Sequence, residues 1–182
     1  MLKLIKVSKE YLPAVKKSVP EYKDDNSPYM ISTVTSFMSA IESNTADEWV
    51  QNRQNEEKGI NLKSGYVPST TYWLMEDGEY IGTFSLRHKL TENLMKIGGH
   101  IAYAIRPSKR RQGYAIAGLA LCLKEAGKIN IERALITCNT KNIASHAVIL
   151  KAVRQYGGEV LPDVETEDGF EHRAWINTIS AN

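Results

Sequence analysis

The stretch His100-Ile101-Ala102-Tyr103-Ala104-Ile105-Arg106-Pro107-Ser108-Lys109-Arg110-Arg111-Gln112-Gly113-Tyr114-Ala115 changes character twice in a short run. Residues 100–105 read as a strand, 106–112 as a basic turn, and Gly113 to about Lys128 as a helix so apolar that it must be largely buried. A helix start presents unpaired backbone amides and the positive end of the helix dipole. Gly113 removes a side chain where a ligand would approach, and Ala115 keeps the next exposed position small. With Arg106, Lys109, Arg110 and Arg111 around it, this turn is competent to hold a phosphate or pyrophosphate. It lacks the Gly-Lys-Ser/Thr of a Walker loop, and also the three glycines and distal acid of a dinucleotide fingerprint.

Working outward, Ala134 to Cys138 is a short strand and Asn142 to about Tyr156 a helix ended by Gly157-Gly158. Val160 to Asp163 and Phe170 to Ile176 form a closing hairpin. On the other side, Thr71 to Met75 and Tyr80 to His88 form a hairpin around Glu76-Asp77-Gly78. Leu2, Leu4 and Val7 mark a first strand, followed by a helix from Lys9 to about Ser18 that Pro20 closes. Residues 20–32 read as a loop. Thr35 caps a helix carrying Phe37, Met38 and Ile41, and Thr45-Ala46-Asp47-Glu48 has capping-box spacing before Trp49 and Val50. Strands and helices in this mixed order predict an α/β or α+β fold with a mixed sheet, in one domain spanning 1–182.

Composition narrows the function classes. A net charge of +2 rules out the whole surface as an electrostatic nucleic-acid binder. Lysines interrupt the N-terminal apolar residues, so no secretory signal is read there, and no apolar run is long enough to span a bilayer. Cys122 and Cys138 sit in apolar segments and read as buried free thiols in a reducing compartment, hence a cytoplasmic protein. The four histidines and two cysteines show no metal-ligand spacing, so no metal is expected.

Arg110-Arg111-Gln112-Gly113-Tyr114-Ala115 resembles the acetyl-CoA motif Gln/Arg-x-x-Gly-x-Gly/Ala of the GNAT N-acetyltransferases. Its surroundings extend the likeness. Tyr103-Ala104-Ile105-Arg106-Pro107 precedes it, and Ala134 to Cys138 followed by Asn139-Thr140-Lys141-Asn142-Ile143-Ala144-Ser145 comes after. Ser85-Leu86-Arg87-His88, Gly98 to Tyr103, and Arg173-Ala174-Trp175-Ile176 resemble a bacterial subgroup of predicted acetyltransferases, so the likeness covers roughly residues 66–177.

The resemblance implies a GNAT-like mixed central sheet with parallel splayed strands, 100–105 and 134–138, flanked by helices. It implies acetyl-CoA as co-substrate, held at Ile105, Arg110, Arg111, Gln112, Gly113, Tyr114 and Ala115, and at Asn142 and Ser145 of the later helix start. Asn142 is equally readable as a plain helix cap. The acceptor is expected to be the primary amine of a small molecule or peptide, attacked directly by a monomer or homodimer. The alternative is a catalytically silent CoA-binding regulatory module of the same fold. The position where many such enzymes carry a proton-donating tyrosine holds Ile149, flanked by Val148 and Leu150. Tyr156 lies roughly 16 Å from Ser145 along the helix, too far to replace it. His100 is the candidate base, with a hydrogen-bonded structural histidine as the alternative reading.

Overall fold

The computed structural model describes residues 1–25, 27–167 and 169–180. The first sheet takes the order β1 (Leu2–Lys6), β2 (Ser69–Glu76), β3 (Glu79–Arg87), β4 (Ile101–Ile105), and the second β5 (Arg133–Asn139), β7 (Gly169–Asn177), β6 (Gly158–Thr166). The β2–β3 hairpin turns at Asp77 and Gly78, both at positive φ, as a two-residue connection between right-twisted strands demands. Four antiparallel strands are thus in place before the chain reaches its basic turn.

Every ladder is antiparallel, which corrects the expected mixed sheet with parallel splayed strands. β4 directs its ladder bonds to β3, pairing Phe84 with Tyr103 and Gly82 with Ile105. The two sheets are stitched just before β4 begins. There the His100 amide donates to the Leu135 carbonyl at 2.7 Å, and the Leu135 amide donates to His100 Nδ1 at 3.0 Å. Gly99, at φ +55, rides so close to β5 that a Cβ would lie 2.4 Å from the Leu135 oxygen. Arg87 Nη1 donates to the Gly98 and Gly99 carbonyls, and the Gly98 amide donates to Thr137 Oγ1. Beyond this seam β4 and β5 share no ladder.

Two apolar clusters form, one involving each helix group. α6 (Tyr114–Lys128) buries Leu119, Cys122, Leu123 and Ala126 among Leu74, Phe84, Ile101 and Ile136, and α7 (Ile143–Tyr156) adds Ile149 and Ala152. The other cluster gathers α1 (Leu12–Lys16), α2 (Val19–Lys23), α3 (Ser32–Glu42) and α4 (Ala46–Glu57) around Trp73, Met75 and Tyr80. Trp49 and Trp73 stack at 6.4 Å with Phe37 edge-on to both, the offset and edge geometries aromatic rings prefer.

Several local expectations change. Thr35 lies inside α3, which starts at Ser32, and its hydroxyl donates to the Ser32 carbonyl instead of capping the helix. Pro20 sits in the first turn of α2 rather than closing a helix, because a proline there forfeits only an amide that has no partner anyway. The Thr45 capping box does not form, since its hydroxyl turns back to the Ala40 carbonyl. α5 (Glu92–Lys96), absent from the sequence reading, is capped by Thr91 Oγ1 accepting from the Leu94 amide.

Candidate functional site

A cleft of about 820 Å³ opens where β4, the start of α6 and the start of α7 converge. Its walls are Tyr103, Ala104 and Ile105 of β4, residues 113–116 at the start of α6, and Asn142, Ser145 and Val148 of α7. Ser27, Tyr29 and Met30 of the segment after α2 roof it. Of the nine positions expected to hold the co-substrate, Ile105, Arg110, Arg111, Gly113, Tyr114, Ala115, Asn142 and Ser145 line this space. Gln112 does not, because its amide nitrogen donates to the Ser108 carbonyl and steadies the turn from behind.

The start of α6 is open. Gly113 is its N-cap at φ +85, no side chain caps it, and a Cβ there would meet nothing within 4 Å. The first amides of the helix therefore lack the side-chain partner that most helix starts recruit. Arg111 also adopts a positive φ, and it makes no ion pair among the described residues.

The cations of the turn are less available than the sequence suggested. Arg106 is held by Glu21 at 2.9 Å and Glu79 at 3.0 Å, and Lys109 by Glu79 at 2.7 Å. Arg110 grips both carboxylate oxygens of Asp25 at 3.0 and 2.5 Å, and its Nε donates to the Ile105 carbonyl. That grip holds the Asp25 carboxyl below its usual range. These carboxylates come from α2, the segment after it and the β2–β3 hairpin, so the roof is strapped to the turn. Only spatial contact reveals the pairing, because Asp25 and Arg110 lie far apart in sequence.

The start of α7 is closed by its own sequence. Asn142 Oδ1 accepts the Ser145 amide at 3.1 Å, so Asn142 is a helix cap that also lines the cleft. Ser145 Oγ shares a 3.1 Å hydrogen bond with the Tyr103 hydroxyl. Tyr103 was not among the residues picked out from the sequence. Its place in β4, opposite a helix start one crossover later, is not visible in local spacing.

His100 stands apart from the cleft. It is 7% exposed at the seam, and its Nδ1 lone pair is used by the Leu135 amide. Burial, and secondarily the Arg87 charge, lower its pKa to about 4. These contacts fit the alternative reading of His100, a hydrogen-bonded structural histidine. No histidine or carboxylate lines the cleft among the described residues.

The sequence matches the family described as Acetyltransferase (GNAT) domain over residues 32–153. The chain therefore belongs to the GNAT acetyltransferase family and is an N-acetyltransferase. Solved structures share its fold at low identity. RimL, a ribosomal L7/L12 alpha-N-protein acetyltransferase in complex with coenzyme A, matches with a TM-score of 0.67 and 16% identity over 97% of this chain and 94% of that one. A Salmonella typhimurium acetyltransferase that modifies the N-terminal serine of ribosomal protein L7/L12 matches at TM-score 0.63 and 19% identity, over 98% and 95%. A chimera of the spermidine N-acetyltransferase SpeG from Vibrio cholerae and hSSAT matches at 0.62 and 12%, over 97% and 95%. Comparison with curated protein sequences gives no match.

Proposed function

We propose that the chain, as one domain, transfers an acetyl group from acetyl-CoA directly to the primary amine of a small molecule or peptide. The observation that carries this reading is the uncapped start of α6, with Gly113 opening onto a cleft shared with the start of α7. Acetyl-CoA would supply the activated acyl group as a thioester. The free amides after Gly113, with Arg111 beside them, suit its pyrophosphate, because an N-terminal turn and an unpaired guanidinium are both arranged for phosphate. Ile105, Ala115 and Val148 give the cleft the apolar wall that a pantetheine arm needs.

The chain's contribution to chemistry is placement. Holding an amine against a thioester in one cleft removes most of the entropic cost of their encounter. With no histidine or carboxylate lining the cleft, the attacking amine gives its proton to water. RimL and SpeG act on a protein N-terminus and on spermidine, so both chemistries belong in the acceptor screen. The two buried free thiols fit a reducing cytoplasm, and no helix among the described residues is long and apolar enough to cross a membrane.

Calorimetric titration with acetyl-CoA, CoA and ATP tests the reading. Micromolar binding of acetyl-CoA, lost in Gly113→Glu, supports it. Thiol release is then screened with spermidine, simple primary amines and a peptide carrying an N-terminal serine. Equal preference for ATP, or no binding, overturns it. Binding without turnover of any of these acceptors overturns the proposed acceptor classes and leaves the co-substrate reading in place.

A further inference from the structure

Resting on the acetyl-CoA reading, we propose that Tyr103 limits the length of the acyl chain the donor can carry, by walling off the inner end of the cleft. The wall is a bridge between the two sheets. Past the seam β4 and β5 share no ladder. Tyr103 stands three residues after His100 on one strand, and Cys138 three after Leu135 on the other. Ser145 of α7 spans them. Its hydroxyl meets the Tyr103 hydroxyl at 3.1 Å and also hydrogen-bonds the Cys138 side chain. Of the β4 residues lining the cleft, Tyr103 is the nearest to the seam along the strand, so the bridge closes the end away from the basic turn.

This wall has nowhere to retreat. The Tyr103 ring stacks on Phe84 at 5.5 Å and 20°, and Phe84 is fully buried. Phe84 in turn presses on α6, where a Cβ at Gly118 would lie 2.4 Å from its Cζ. Cys138 is buried in the same core, and the Ser145 backbone is pinned by the Asn142 side chain. Burial pushes the Tyr103 phenol up to about 12, so it keeps its proton, and with it the bridge, through the neutral range. Close-packed surroundings of this kind resist added methylenes instead of flowing around them.

The donor is fixed at its other end as well. With the pyrophosphate at the open start of α6 and the arm along Ile105, the acyl group is the part that would reach Tyr103 and Ser145. An acetyl group ends one methyl beyond its carbonyl. A butyryl group carries two further methylenes, which need the space the bridge occupies. An unyielding apolar pocket separates chains differing by one methylene by about 10- to 200-fold.

Calorimetric affinities of the whole chain for CoA, acetyl-CoA and butyryl-CoA test this without needing an acceptor. The wild type should bind butyryl-CoA about 100-fold more weakly than acetyl-CoA. Tyr103→Val, which suits a strand and removes the ring, should bring that ratio below about fivefold. Tyr103→Phe and Ser145→Ala break the bridge but leave the ring, so each should lower the ratio part way, to roughly 20-fold. A residue that only supported the fold would weaken all three ligands alike and leave the ratio standing. Should Tyr103→Val not fold, Tyr103→Phe and Ser145→Ala decide, since each removes a single oxygen and keeps the core filled. Equal affinity of the wild type for acetyl-CoA and butyryl-CoA overturns the assignment, as does a ratio that none of the folded variants lowers. Failure of the wild type to bind acetyl-CoA overturns instead the reading on which it rests.

Discussion

The two helix starts that face each other across the cleft solve one backbone problem in opposite ways. Both α6 and α7 begin with amides that have no partner within the helix. At α7 the chain provides its own acceptor, Asn142, and the first turn is thereby free to present a side chain, Ser145. At α6 it provides none. Gly113 holds a left-handed conformation and leaves open space where a cap would stand. A capped start is a platform for a hydroxyl, and an uncapped one is a socket for an anion. Lining one cleft with both sets an open helix start and a capped one against the same space.

The sharpest way to break this contrast is to fill the socket. Gly113→Glu adds strain at positive φ and sets a carboxylate where the pyrophosphate would sit. Acetyl-CoA affinity should fall by at least ~100-fold in calorimetry. The seam offers a control outside both starts. His100→Ala leaves the buried Leu135 amide without its acceptor and should cost about 2 kcal/mol in urea unfolding, with acetyl-CoA affinity intact. The same residue fixes a pH signature. Its folded pKa of about 4 lies below the ordinary 6.5, so the folded protein binds fewer protons than the unfolded chain between those values. Stability should therefore drop as pH falls from 6.5 towards 4, and His100→Asn, which keeps an acceptor, should flatten that slope.

A smaller effect separates the arginines of the socket. Arg111→Ala should weaken acetyl-CoA about tenfold, as expected for a lost charge-assisted phosphate contact. Asp25→Asn should do the reverse, tightening it two- to threefold, roughly the worth of freeing a partly exposed guanidinium from one carboxylate. The smallest change concerns the platform. Asn142→Ala should cost about 1 kcal/mol of stability, and Asn142→Asp should restore most of it. If Asn142→Ala lowered cofactor affinity as much as Gly113→Glu, the distinction between socket and platform would be lost.

How much of this was legible in the sequence depended on how local the cause was. Gly113 was readable because the signal lies in adjacent residues, a basic turn breaking into an apolar helix. Asn142 was readable as a cap for the same reason. The partners of Arg106 and Arg110 were not, because Glu21 and Asp25 stand in a segment whose local composition says only loop. Tyr103 escaped for a different reason. A tyrosine in an alternating strand looks like core, and half of it is, since the ring packs on Phe84 while the hydroxyl reaches Ser145. The parallel strands expected by resemblance gave way to a seam at His100 and Leu135, because residues 98–100 spend their hydrogen bonds there before β4 turns to β3.

The roof of the cleft is held by Glu21 on Arg106 and Asp25 on Arg110, whereas the two sheets are joined by amide hydrogen bonds at the seam. Ionic strength acts on these two kinds of fastening unequally. Screening shortens the reach of surface charges from about 10 Å in 0.1 M salt to about 3 Å in 1 M, while amide hydrogen bonds in the interior hardly respond. The roof of the cleft thus has a stiffness that dissolved salt can adjust, and the joint between the sheets does not.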